Sequence, residues 1–142
     1  MNRYRLSDIN VGMKESFVRT ISSDMELGFR VISGDENPLH KDDQFARDIS
    51  NGKYEKHVSF GMLTASLYST FAGVYLPGEN SLIHSFEELS FLRPVFVGDR
   101  LEIEGEVIDK QVDLRLIRLK VIIRNQNNKV VSRAKMKVLV LR

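Results

Sequence analysis

The eighteen residues Ser59–Leu76, SFGMLTASLYSTFAGVYL, contain no charged side chain. Read as a helix from about Phe60 to Tyr75, the segment has no face suited to water, and a helix of that kind is buried all round. Leu76-Pro77-Gly78 ends it, because proline lacks the helical N–H donor and glycine favours other backbone conformations. Gly61, Ala65, Ser66, Ser69, Ala72 and Gly73 are small enough for neighbouring backbone to come close. In a chain of 142 residues, such a helix needs a sheet to wrap it.

The rest of the sequence supplies that sheet. Leu82–Phe91, Leu101–Gln111, Leu114–Asn125 and Val130–Leu141 read as strands, separated by turn signals such as Val97-Gly98-Asp99 and Gln126-Asn127-Asn128. In the third, Ile117, Leu119, Val121 and Ile123 face one way, against Arg118, Lys120 and Arg124. In the fourth, Ala134, Met136, Val138 and Val140 oppose Arg133, Lys135 and Lys137. A short polar turn joins these two into a hairpin whose apolar face meets the helix and whose basic face points outward. This accounts for a hidden asymmetry in the net charge of +2: residues 1–108 carry 11 basic and 17 acidic side chains, residues 109–142 carry 10 and two. Glu15–Ile21 reads as a further strand. The expected class is α+β, an antiparallel sheet wrapped around one long buried helix, with residues 1–142 as a single domain.

Between the first strand and the long helix, Ser23 and Glu26 have capping-box spacing and open a short helix with Met25, Phe29 and Ile32 as its buried stripe. Gly34 ends it in the left-handed conformation. Pro38 pushes Asn37 towards extended backbone, and a second short helix runs from about Lys41 to Ile49.

Composition removes several function classes. The absence of cysteine excludes a disulfide framework, a zinc ribbon, a Cys-ligated cluster and a thiol nucleophile. The basic segment carries no nucleic-acid-binding motif, and a charged sheet face is more often solvated than a dock for phosphates or an acidic carrier protein. No run approaches the ~20 apolar residues of a membrane span. The first residues, MNRYRLSDINVGMKESF, lack the apolar core of a signal peptide, so a cytoplasmic protein without nucleic-acid or membrane partners is expected.

The groups left for chemistry are three histidines, carboxylates and hydroxyls. His40 follows Asp35 by five residues across a turn containing Asn37-Pro38. Such a turn can aim an acid and an imidazole into one cleft. Taken by spacing alone, an Asx turn in which Asp35 and Asn37 merely bond local backbone is the simpler reading. Gly61 opens the buried helix, where free N–H groups and the helix dipole favour a developing negative oxygen. Tight helix–sheet packing would equally explain that glycine. Ser69, eight residues on, reads from spacing as a hydroxyl bonding back to the preceding turn. His57 reads as solvated in a charged loop and His84 as structural, and the three histidines match no zinc motif.

Three blocks in order then resemble the MaoC-like dehydratase family, in particular its (R)-specific enoyl-CoA hydratases of the hotdog fold. They are Ser33-Gly34-Asp35-Glu36-Asn37-Pro38-Leu39-His40, Phe60-Gly61-Met62-Leu63-Thr64-Ala65-Ser66-Leu67, and Phe91-Leu92-Arg93-Pro94-Val95-Phe96-Val97-Gly98-Asp99. The resemblance implies that Asp35 and His40 are the catalytic pair, with substrate contacts at Gly61, whose N–H would bind the thioester carbonyl, and at Ser69. Asn37 would support the loop at that site. It further implies (R)-specific hydration of trans-2-enoyl thioesters, or the reverse dehydration, on CoA or an acyl carrier protein, in a homodimer and with neither cofactor nor metal. Phe60 stands where the family commonly has His, which removes a polar group beside the carbonyl site. Phe86-Glu87 stand where a small residue and Gln are common, and are expected to narrow the acyl tunnel or alter its polarity.

Two other readings compete. A hotdog thioesterase in its commonest form needs a carboxylate on the buried helix, and Phe60–Leu76 has none. A non-catalytic acyl-thioester-binding module has no need of both Asp35 and His40.

Overall fold

The structure is a computed structural model covering residues 1–142. Five strands form one antiparallel sheet: β1 (Lys14–Thr20), β2 (Ser81–Phe91), β3 (Arg100–Gln111), β4 (Leu116–Arg124) and β5 (Val130–Val140), in the spatial order β1-β3-β4-β5-β2. The uncharged segment forms the helix α3 (Gly61–Thr70), which widens into a π-helical turn over Phe71–Tyr75 before Leu76-Pro77. Tyr68, Phe71 and Ala72 lose all solvent contact against Ile117, Leu119, Val121, Ile123, Met136 and Val138. The alternation read from the sequence therefore faces as expected, and the arrangement is the hotdog fold. No helix is long and apolar enough to cross a membrane.

The sheet meets the helix segment tightly at Gly105 of β3. A Cβ built there would lie within 2.9 Å of three atoms of the Phe71 ring, so the π-turn can seat this ring only over a bare backbone. On β5, Ser132 Oγ accepts from the buried Tyr68 hydroxyl at 2.7 Å and donates to the Ser90 carbonyl at 2.8 Å. Burial pushes the phenol up to about 12, against the opposing pull of its bond to Ser132.

The outer sheet face corrects one expectation. Glu87 does not enter a tunnel. It accepts two bonds from Arg118, at 3.0 and 2.7 Å, and pairs with Lys137 at 3.4 Å, while Glu88 pairs with Lys135 at 3.6 Å. Irregularities in β2 between Ile83 and Ser85 and between Phe86 and Glu88 allow successive residues to share the outer face. The pairs relieve the like-charge neighbours Arg118↔Lys137 and Lys120↔Lys135, so the basic stripe is laced with carboxylates. Phe86, half-exposed on the edge strand, meets Tyr68 edge-on with ring centroids 6.1 Å apart.

Two short helices cover the open end of α3: α1 (Ser23–Ser33) and α2 (Asp43–Ile49). The cap of α1 is Ser22, which accepts from Met25 N–H, so Ser23 and Glu26 form no capping box. Met25 and Phe29 pack on the core, but Ile32 is 86% exposed, because the last turn runs past the core before Gly34 ends it at φ 71°. The position taken for a capping glutamate is instead a buried one.

Candidate active site

The Gly34–His40 loop is built by its own polar residues. Ser33 Oγ accepts from Asp35 N–H, Asp35 Oδ1 from Asn37 N–H at 3.0 Å, and Asn37 Oδ1 from Leu39 N–H at 3.0 Å. Asn37 thereby caps the single 3-10 turn Pro38–His40, which delivers the imidazole inward. The local Asx bonds and the inward histidine are thus one device. Glu36, whose side chain is exposed on the same loop, pairs with Arg30 at 3.9 Å and with Lys41, whose hydrogen bond holds its carboxyl below the usual range.

His40 Nδ1 lies 2.7 Å from the Val58 carbonyl oxygen. A carbonyl only accepts, so Nδ1 carries the hydrogen and the neutral ring keeps its lone pair on Nε2. Val58 is itself fixed, its N–H donating to the Leu39 carbonyl at 3.0 Å. The ring rests on Phe60 with centroids 4.4 Å apart, and Phe60 packs on Phe29 at 5.0 Å. An apolar wall therefore stands beside the imidazole where a polar group would compete with it for hydrogen bonds.

Two cavities meet at this point. One, of about 280 Å³, is lined by Phe29, Asp35, His40, Phe60, Gly61 and Phe91 among others. The second, of about 310 Å³, shares His40, Gly61 and Phe91 and runs on past Tyr54, Val95 and Val131. Asp35, His40 and Gly61 thus face one space, with the free N–H groups of the first turn of α3 at its edge. A Cβ at Gly61 would touch the Phe91 ring at 3.5 Å, an ordinary contact. Packing does not require the glycine, whereas open space between the cavities does. Ser69 lies exposed two turns along α3 and lines neither cavity, and His84 is an exposed strand residue 2.9 Å from Ser85 Oγ.

His57 departs from expectation. It is not solvated but wedged between α1 and α2, with Nδ1 2.6 Å from Asp43 Oδ1 and Nε2 2.9 Å from Glu26 Oε1. Asp43 Oδ1 also accepts from the His57 backbone N–H at 2.9 Å, and that bond, ahead of the ring's own, holds the Asp43 carboxyl low. Glu26 is 7% exposed, and its Oε2 has no hydrogen-bond partner. One signal was available in the sequence: a carboxylate between Met25 and Phe29 lies on the stripe that faces inward and must find a partner there.

Fold and site together define a hotdog protein with an imidazole, a carboxylate and a helix N-terminus around one cavity. Residues 8–130 match the MaoC like domain, and the chain belongs to that family, as a hydro-lyase of the MaoC type. Similar curated proteins include a 3-hydroxybutyryl-CoA dehydratase of Methylorubrum extorquens, 36% identical over 79% of this chain and 69% of that protein. An (R)-specific enoyl-CoA hydratase of Aeromonas caviae is 39% identical over 70% of this chain and 71% of that protein. Among solved structures, an (R)-hydratase from A. caviae superposes with a TM-score of 0.85 at 32% identity, covering 93% of this chain and 97% of that one. An unliganded (R)-hydratase from Pseudomonas aeruginosa reaches 0.86 at 28% identity, over 96% and 84%.

Proposed function

We propose that the protein adds water to trans-2-enoyl thioesters to give (R)-3-hydroxyacyl thioesters, and runs the reverse dehydration, with Asp35 and His40 as its catalytic pair. The observation that carries this is the fixed tautomer of His40, whose unprotonated Nε2 belongs to a ring sharing a cavity with Asp35 and Gly61. Hydration needs a base to take a proton as water oxygen bonds to C3, an acid to return one to C2, and a donor for the enolate-like thioester oxygen. The pair grips one water and supplies base and acid between them. Asn37 spans the loop that sets their separation, and the Gly61 N–H, aided by the helix dipole, receives the oxygen. The relatives' (R)-specific and CoA-linked names support the product configuration and the carrier.

The same reading includes a homodimer. Strand β2 is an unpaired sheet edge with Leu82 54% exposed, and Met62 on α3 is 57% exposed. Ser69, turned away from its own subunit's cavities, serves substrate only across such a contact.

The test is loss of enoyl absorbance with crotonyl-CoA and a longer trans-2-enoyl-CoA, followed by determination of the C3 configuration. Turnover to the (R)-product is expected, with His40→Ala and Asp35→Asn each folded and slower by about 10²–10⁴-fold. Failure on CoA and on carrier-bound substrates alike overturns the reading in favour of an acyl-thioester-binding module, and full activity in both variants overturns the assignment of Asp35 and His40 as the catalytic pair.

A further inference from the structure

The helices on either side of the Gly34–His40 loop are joined by a cluster that the hydration chemistry leaves unused. Both ring nitrogens of His57 face carboxylate oxygens, which accept and do not donate when ionised. One hydrogen, on Nδ1, serves Asp43. A second proton must lie on the line between Nε2 and Glu26 Oε1, whichever atom holds it. Without it two lone pairs oppose each other at 2.9 Å. Glu26 is buried with no other partner, so that proton alone compensates its carboxylate.

The position of this cluster ties it to the active site. His57 immediately precedes Val58, whose carbonyl accepts from His40 Nδ1 and whose N–H donates to Leu39. Glu26 lies on the helix that enters the loop and Asp43 on the helix that leaves it. Where His57 is held therefore decides where the Val58 carbonyl stands, and with it the orientation and tautomer of His40. Resting on the hydration reading above, we propose that His57 is a positioning residue. Its proton, shared between α1 and α2, keeps the Val58 carbonyl on His40, and turnover falls on the alkaline side as that proton leaves.

The charged groups facing the ring are Glu26 from α1 and Asp43 from α2. Arg47, one turn further along α2, acts on Asp43 and also donates to the Glu55 carbonyl at 2.9 Å. Burial disfavours the charged ring, but the two carboxylates outweigh it and raise His57 above the ordinary imidazole value of 6.5.

Two readouts test the assignment. In crotonyl-CoA hydration, the wild type is expected to lose kcat on the alkaline side. Glu26→Gln is expected to lack this decline, since its amide bonds to Nε2 with or without the ring proton. His57→Phe strands a buried carboxylate, so it is made together with Glu26→Leu. That double variant is expected to stay folded with kcat lower by roughly 10-fold or more and KM little changed, as small misplacements of catalytic groups cost up to about 10²-fold. Independently of any substrate, imidazole ¹⁵N spectra are expected to show the His40 Nδ1 signal moving with the His57 titration in the wild type and staying still in Glu26→Gln. An alkaline decline unchanged in Glu26→Gln, or a His40 signal indifferent to His57, overturns the proposal. Because the spectra need no turnover, a protein inactive on every enoyl thioester would sink the hydration reading and leave this one to be judged by them.

Discussion

The two ends of the buried helix are packed to opposite purposes. At the Phe71 end, a ring lies directly over Gly105 and leaves no room for a single added methyl group. At the Gly61 end the glycine has room for a methyl group and is bordered by cavities on both sides. Both glycines look alike in sequence. One is required by what already fills the space and the other by what has yet to enter it. Close packing fixes the helix, and the unfilled end is where binding and proton transfer can occur.

The sharpest way to break this contrast is Gly61→Ala. Its methyl would occupy the junction of the two cavities, and kcat/KM for enoyl-CoA hydration is expected to fall by about 10²-fold. Stability should hold or rise by ~0.4–1 kcal/mol, since alanine restricts the unfolded chain. A denaturation midpoint that drops with activity would mean that Gly61 is a packing residue after all. Gly105→Ala should do the reverse, costing roughly 1–3 kcal/mol or more in urea unfolding as Phe71 is displaced. Any activity loss there should only track the loss of folded protein. A neutral Gly105→Ala would show that the π-turn yields easily and that the contrast is weak.

The smallest effect concerns pH. His57 is raised in the folded state, so its contribution to stability is fully present below about 6.5 and is lost as pH rises through its higher folded value. Unfolding midpoints measured across that window should decline in the wild type and lose this component in Glu26→Gln. Asp43, held low, works in the opposite sense: its share is lost only on acidification well below neutrality.

The fold was legible because its determinants are local or periodic. An uncharged helix and strands alternating with period two leave little choice of architecture. The site was legible only in part. Asp35, Asn37 and His40 lie within six residues and match a family pattern, although spacing alone favoured a simple turn. Structure adds that the turn itself aims the imidazole. Glu26, Asp43 and His57 are 14 and 31 residues apart in their pairings, and no periodicity announces such a contact. Glu87 was placed beside the acyl tunnel by the family pattern alone, which carries no information about the bulge that β2 makes at that point.

The bond from Tyr68 to Ser132 has a consequence for that same strand. An edge interrupted by two bulges has several nearly equivalent ways to align, and a slip of one residue would turn Leu89 outward and Glu88 towards the core. The phenol prevents this, because Ser132 can satisfy it and also reach the Ser90 carbonyl in one alignment only. With its ionisation pushed to about 12, Tyr68 keeps that alignment well beyond the range in which His57 gains and loses its proton. The reading frame of the sheet edge is thereby insulated from acidity, while the clasp of His57 between the two short helices remains sensitive to it.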